Sequence, residues 1–280
     1  MVNLLFGAIG GDICGSFYEA RYCRTKDISK IQLIKTANDF TDDTVCTIGV
    51  ADTLINCPNP TVEDFRDYIQ KWCKKYTGRG YGGMFKDWIL NPVPYNSYGN
   101  GSAMRVSPIG FFSKTEEECV KLATLSASCS HNHKEGIKGA VAIALCIFHS
   151  LRNTNKEEVR KILKLYYPEW GDKTLDEIRP NYHFDSTCQG SVPVAIIAFL
   201  ESSSYTDCLK LAISTGGDSD TLAAMAGGIA YAYYRGTGAM PKLLVDNVIE
   251  ILPQEMLSVC RNFDKITNEH LHMPVRKHLL

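Results

Sequence analysis

Apolar residues recur every three or four positions in one segment of this chain after another, a period that fits the face of an α-helix and not of a strand. Residues 61–77, TVEDFRDYIQKWCKKYT, place Phe65, Tyr68, Ile69 and Trp72 on one side, with Thr61 and Asp64 at capping-box positions. Residues 133–151 are apolar nearly all round, which predicts a central helix. Residues 154–167 follow the same rule, with Thr154 as the cap, acids early and bases late. Segments 191–201, 205–215 and 221–234 continue it. No run of alternating residues and no Asn-Gly or Asp-Gly turn between strand-like segments argues for a sheet. The fold class read from the pattern is all-α.

A chain of 280 residues can bury roughly 75% of its unfolded surface. Its net charge of −1, with both signs interspersed, offers no basic stripe for nucleic acid. Eleven cysteines, an odd number without a Cys-x-x-Cys pair, fall mostly in apolar segments (Cys14, Cys46, Cys73, Cys146, Cys208) and read as buried free thiols of a reducing compartment. The apolar start MVNLLFGAIGGDICGSF lacks a basic leader and is interrupted by Gly10, Gly11 and Asp12, so neither a signal peptide nor a membrane span is expected. A cytoplasmic protein is the expectation.

Two acidic clusters stand out. FTDDT at 40–44 and GGDSDT at 216–221 each open a helical segment. One aspartate at a helix start is an ordinary cap, favoured by the free N–H groups and the macrodipole. Thr-Asp-Asp and Asp-Ser-Asp-Thr exceed what a cap needs. If the two starts meet, four carboxylates share one small volume and cannot all stay ionised unaided. Cations would resolve this. The donors are carboxylate and hydroxyl oxygens without histidine or cysteine, a set that suits Mg²⁺ or Mn²⁺ and not Zn²⁺. Four carboxylates balance two divalent ions, which predicts a two-metal centre. Ala223, Ala224, Ala226, Gly227 and Gly228 would let the second helix pack closely on its neighbours, and a shared site would make residues 1–235 one folding unit.

The stretch 78–101 is rich in glycine, proline and asparagine, as a functional loop would be. Its start, GRGYGG, satisfies Gly-x-Gly-x-x-Gly but follows an amphipathic helix and not a strand, so a dinucleotide site is excluded. His131 and His133 in SHNHKEG lack a third nitrogen or sulfur ligand nearby, so zinc is excluded too.

The blocks GAIGGDICGSFYEA, FTDDT, SYGNGSAMRVSPIG, SHNHKEGIKGA, SVPVAIIAFLES and GGDSDTLAAMAGGIAYAYY occur in this order between residue 4 and about residue 236, and together the chain resembles the ADP-ribosylglycohydrolases. The resemblance implies a single orthogonal helix bundle over residues 1–280, two Mg²⁺ ions, and cleavage of the bond between the terminal ribose of ADP-ribose and its attachment. The metal motifs map onto Thr41, Asp42 and Asp43, and onto Asp218, Asp220 and Thr221. Ser219 replaces the threonine of the common Gly-Asp-Thr-Asp-Thr form, at a position not expected to be a principal ligand.

Other positions carry over one by one. Glu19 matches a glutamate that lies near the metals and scissile bond in one branch of the family, and is expected with Asp42 and Asp43 to assist proton transfer. Asp12 is expected in a supporting role. Ser97, Tyr98, Gly99, Asn100, Gly101 and Ser102 match the cradle for ADP-ribose, with Tyr98 stacking on adenine and loop N–H groups facing phosphate. His131 matches a substrate contact, while His133 is expected to cap the next helix. Arg105 has the chemistry of a phosphate ligand but is expected within the following helix, as a buried ion-pair partner instead.

The substrates implied are ADP-ribose linked to a protein side chain (serine or arginine) or a small conjugate such as O-acetyl-ADP-ribose. GSFYEA and SYGNGSAMRV resemble the serine and O-acetyl branch more closely than the arginine branch. A monomer is expected. A non-catalytic ADP-ribose-binding or crystallin-like protein on the same fold is the alternative, which loss of a metal aspartate would favour; none is lost. A two-metal phosphoesterase would have no need of an adenine platform.

Overall fold

A computed structural model describes residues 3–152, 155–235 and 240–270. Among them fourteen α-helices run in the order α1 (Phe6–Glu19), α2 (Asp42–Asn56), α3 (Val62–Lys75), α4 (Gly83–Leu90), α5 (Ser107–Phe112), α6 (Glu116–Ser128) and α7 (Lys134–Arg152). There follow α8 (Glu157–Tyr166), α9 (Leu175–Ile178), α10 (Cys188–Glu201), α11 (Tyr205–Ile213), α12 (Ser219–Tyr234), α13 (Lys242–Ile251) and α14 (Gln254–His270). No strand occurs among the described residues; one isolated bridge pairs Gly99 with Thr187. The protein is all-α, and no described helix is long and apolar enough to cross a membrane.

Helix starts are specified by hydroxyl side chains that accept the free N–H groups of the first turn. Thr61 and Asp64 form the capping box expected for α3, Thr174 and Glu177 form another at α9, and Thr187 caps α10. His133 Nδ1 accepts from Glu135 N at the start of α7, as expected. The cap expected at Thr154 falls outside the described residues, and α8 opens three residues later with Lys156 at its N-cap and no side-chain cap. Arg105 is not in a helix. It lies in the turn before α5, because Pro108 favours a helix start only at its own first turn.

The apolar period places α12 at the centre, against α1, α7, α10 and α11. From Ser219 to Ala232 every residue of α12 is buried. Its tightest partner is α1, where Gly7, Gly11 and Gly15 share one face at four-residue spacing. A Cβ at Gly11 would lie 2.1 Å from the Ala223 carbonyl oxygen, and one at Gly15 would lie 2.4 Å from that of Ser219. The backbones therefore touch. The termini of the described chain are tied together as well, since Asn3 Nδ2 donates to Cys260 O at 2.6 Å and Leu4 N to Asp264 at 3.0 Å. All eleven cysteines are free thiols, as expected, with Cys23 and Cys57 the two that are only half-buried.

We propose that residues 1–280 fold as one unit. The protein should then unfold in one cooperative transition, and Gly11→Ala should lower its midpoint by several degrees, since overpacking costs about 1–3 kcal/mol. Gly82→Ala, with nothing within 4 Å of the added methyl, should leave it in place. Calorimetry showing two transitions, only one of them moved by Gly11→Ala, would contradict the single unit.

Candidate active site

Close packing of α1 on α12 brings Asp12 beside the first turn of α2. The Asp12 side chain is fully buried and accepts from Thr41 N at 3.0 Å, Thr41 Oγ1 at 2.7 Å, Thr44 N at 3.1 Å and Thr44 Oγ1. One carboxylate thus satisfies the free donors at a helix start and fixes its position. Thr41 Oγ1 in turn accepts from Asp43 N at 3.3 Å. From the other side, Thr221 of α12 donates to Asp43 Oδ2 at 3.0 Å, and Asn100 Nδ2 donates to Asp218 Oδ2 at 2.8 Å. The two acidic clusters, so far apart in sequence, meet.

Carboxylate oxygens of Asp12, Asp43 and Asp220 lie within 4.8 Å of one another, and so do those of Glu19, Asp218 and Asp220. Asp220 belongs to both groups. Asp43 Oδ1 and Asp220 Oδ1 are buried with no hydrogen-bond partner among the described residues. A buried acceptor without a donor is costly, and a carboxylate more so. The donor set is all oxygen, so the residues present fit a hard divalent cation.

Burial disfavours the charged form of each acid. Asp12 is pushed up to about 6 despite its four hydrogen bonds, and Asp218 to about 6 despite the Asn100 amide. Asp42 and Asp43 are pushed well above the usual range by burial and then by Asp12, and Asp220 by burial and then by Asp218.

A cleft of about 380 Å³ opens over these carboxylates. Glu19, Asp42, Asp43, Asp218, Asp220 and Thr221 line its floor. Ser97, Gly99, Asn100, Gly101 and His131 form one wall. Gly99 N donates to Ser97 Oγ at 3.1 Å and Asn100 N to Ser186 O at 2.8 Å, so these two amides are committed within the protein. Ser102 is turned away, its buried hydroxyl donating to Gly136 O at 2.7 Å. Tyr98 is half exposed and edge-on to His133, with only its chain neighbours in the cleft wall. Thr41 stands behind the floor, bonded to Asp12.

Arg105 does not make the ion pair expected of it among the described residues. It is fully buried, and its Nη2 donates to Ser126 O and Ser130 Oγ and not to a carboxylate. Phe85 and Tyr95 line the cleft with their rings packed against His131, and Met84 and Phe184 line it too; of these four only Tyr95 falls in a motif block, YNSYGNGSAMR. The glycines of the excluded dinucleotide motif contribute here as well. Gly80, at φ +95, passes so near Asp42 that a Cβ would lie 3.2 Å from Oδ1.

A family model for ADP-ribosylglycohydrolase matches residues 1–271. The chain belongs to the ADP-ribosylglycohydrolase family. By class it is a hydrolase of glycosidic bonds. Human ADP-ribosylhydrolase ARH3 is 28% identical, with 82% of this chain and 84% of the relative covered. The ADP-ribosylarginine hydrolase Tri1 of Pseudomonas putida (strain GB-1) is 23% identical, covering 82% and 69%. A solved structure titled ADP-ribosylglycohydrolase-related protein complex shares the fold, with a TM-score of 0.73, 20% identity, and 95% and 96% of the two chains covered.

The raised acids give stability a definite pH dependence. Their folded-state pKa values exceed the unfolded value near 4, so the cation-free folded protein binds more protons than the unfolded chain as pH climbs through about 6 and beyond. This contribution to stability is lost with rising pH. Melting in chelator should therefore show a deficit, relative to melting in Mg²⁺, that widens from about pH 5 to about pH 8. Superimposable melting profiles would contradict a cation site.

Proposed function

We propose that this chain is a Mg²⁺-dependent hydrolase that cleaves the glycosidic bond joining ADP-ribose to a modified serine or arginine side chain, or to a small conjugate such as O-acetyl-ADP-ribose. The observation that carries the reading is the pair of buried oxygens, Asp43 Oδ1 and Asp220 Oδ1, unpartnered among the described residues at the floor of the cleft. Thr41, Asp42, Asp43, Asp218, Asp220 and Thr221 would hold two Mg²⁺ ions, with Mn²⁺ as a substitute. Asp220, common to both carboxylate groups, supports a pair of adjacent ions. When bound, such ions supply charge that holds ribose hydroxyls and activates water.

The remaining work falls to side chains. Asp12 and Asn100 hold the α2 start and Asp218 in register, so the acids do not have to reorganise during the reaction. Glu19, half-buried at the end of α1, stands with Asp42 and Asp43 at the cleft floor, where a carboxyl can take up or deliver the proton that glycoside hydrolysis moves. The apolar lining of Phe85, Tyr95 and Phe184 receives the adenosine end, with the half-exposed Tyr98, just outside that lining, as the stacking platform. The resemblance of GSFYEA and SYGNGSAMRV favours serine or O-acetyl linkages; the Tri1 relative keeps arginine under test.

Release of ADP-ribose from serine-, arginine- and acetyl-linked substrates, side by side with Mg²⁺ and with chelator, tests this reading. Asp43→Ala should lower turnover by orders of magnitude. Tyr98→Ala should mainly weaken ADP-ribose binding, by about 5- to 150-fold, as loss of base stacking does. A wild type that binds ADP-ribose and releases it from none of the three would instead mark a non-catalytic binding protein.

A further inference from the structure

His131 lines the cleft, and the hydrogen bonds on the Nδ1 side of its ring bear on which tautomer it adopts. The chain begins at Arg105, whose guanidinium carries only donors and never loses its proton. Nη2 of Arg105 lies 3.0 Å from Ser130 Oγ, so the serine hydroxyl accepts there. That hydroxyl has one hydrogen to give. Its other close polar neighbour is His131 Nδ1 at 2.8 Å, since the Cys129 thiol lies 3.9 Å away and is nearer Ser126 O, at 3.2 Å. Donation to Nδ1 is the arrangement that gives this hydrogen a partner at hydrogen-bond distance, and a nitrogen that accepts cannot carry the ring hydrogen, which would then sit on Nε2.

Nε2 faces the loop of the opposite end of the ring. A Cβ at Gly101 would lie 3.0 Å from it and one at Gly99 would lie 3.6 Å, so both glycines keep the approach open. Both residues line the cleft with His131. No hydrogen bond to Nε2 forms among the described residues.

We propose that Arg105 and Ser130 are positioning residues that lock His131 as a neutral ring whose Nε2–H is offered to the ligand in the cleft, and thereby exclude His131 from acting as a base. The ligand half of the proposal rests on reading the cleft as an ADP-ribose site. Burial, and then the Arg105 charge, hold His131 well below the usual imidazole range, in keeping with a neutral ring. Arg105 itself is otherwise hard to account for. Its Nε and Nη1 are buried without partners among the described residues, an expensive arrangement for a residue that merely fills space.

Nitrogen-15 NMR of the full chain labelled at histidine reads the tautomer directly, with the His131→Asn spectrum giving the assignment. The expected result for the free protein is a neutral ring, protonated at Nε2 from about pH 5 to about pH 8, where an ordinary histidine titrates. ADP-ribose should then move the Nε2 signal. Ser130→Ala should release the ring into a mixture of tautomers and weaken ADP-ribose binding about 2- to 13-fold, the range for one hydrogen bond, while Ser130→Thr restores both. Gly101→Ala, which places a methyl against Nε2, should weaken binding with the tautomer unchanged.

A hydrogen on Nδ1, or an imidazolium at neutral pH, overturns the relay, and both are read on wild type without any variant having to fold. ADP-ribose that binds and leaves Nε2 unmoved overturns the donor role. A wild type that binds no ADP-ribose overturns the functional reading and the ligand half with it, while the tautomer of the free protein still decides the relay.

Discussion

Helices α1 and α12 meet backbone to backbone through Gly7, Gly11, Gly15 and Gly227, and the site is built on that approach. Two helices that close cannot be separated by side chains, so residues at their facing ends are held with little freedom. Asp12 on α1 then reaches the open first turn of α2, and Asp220 on α12 comes within range of Asp43. Widening the contact by one methyl would shift each of these carboxylates relative to the others. The geometry of the acids is set by packing far more than by the acids themselves, which left alone would repel.

Charge in the cleft is divided between its two sides. The floor gathers carboxylates whose burial and mutual repulsion call for a cation. The back wall holds a buried guanidinium with no acid beside it, screened from the cleft by Ser130 and a neutral histidine. Polarity there is delivered as an oriented N–H and not as a net charge. An arrangement of this kind suits a ligand whose anionic part lies along one wall and whose hydroxyl-bearing part lies over the carboxylates.

Much of this was legible in the sequence, and the rest was hidden for identifiable reasons. Helical period, the Thr61–Asp64 box and the buried character of 133–151 reflect local rules, and they match α3 and α7. The meeting of FTDDT with GGDSDT was legible because four aspartates exceed any capping need. Gly7, Gly11 and Gly15 carried a readable signal too, a four-residue glycine spacing on one helical face. Phe184 and Met84 gave no such signal, since a cleft wall assembled from separate loops needs no shared motif. Arg105 resisted for another reason. Its partners are a carbonyl and a serine far along the chain, and a lone arginine suggests an acid or a phosphate before it suggests either.

The claim on which everything else depends is that the acids of α2 and α12 hold cations between them. A crystal grown with Mn²⁺ and measured for anomalous scattering tests it at atomic resolution. The expected result is a pair of peaks in the cleft floor, one touching oxygens of both Asp43 and Asp220, the other nearer Asp218, about 3.5–4 Å apart as in two-metal sites. Fully occupied Mn²⁺ elsewhere on the molecule with none at the cleft floor, or an ion held by one cluster alone, would contradict it.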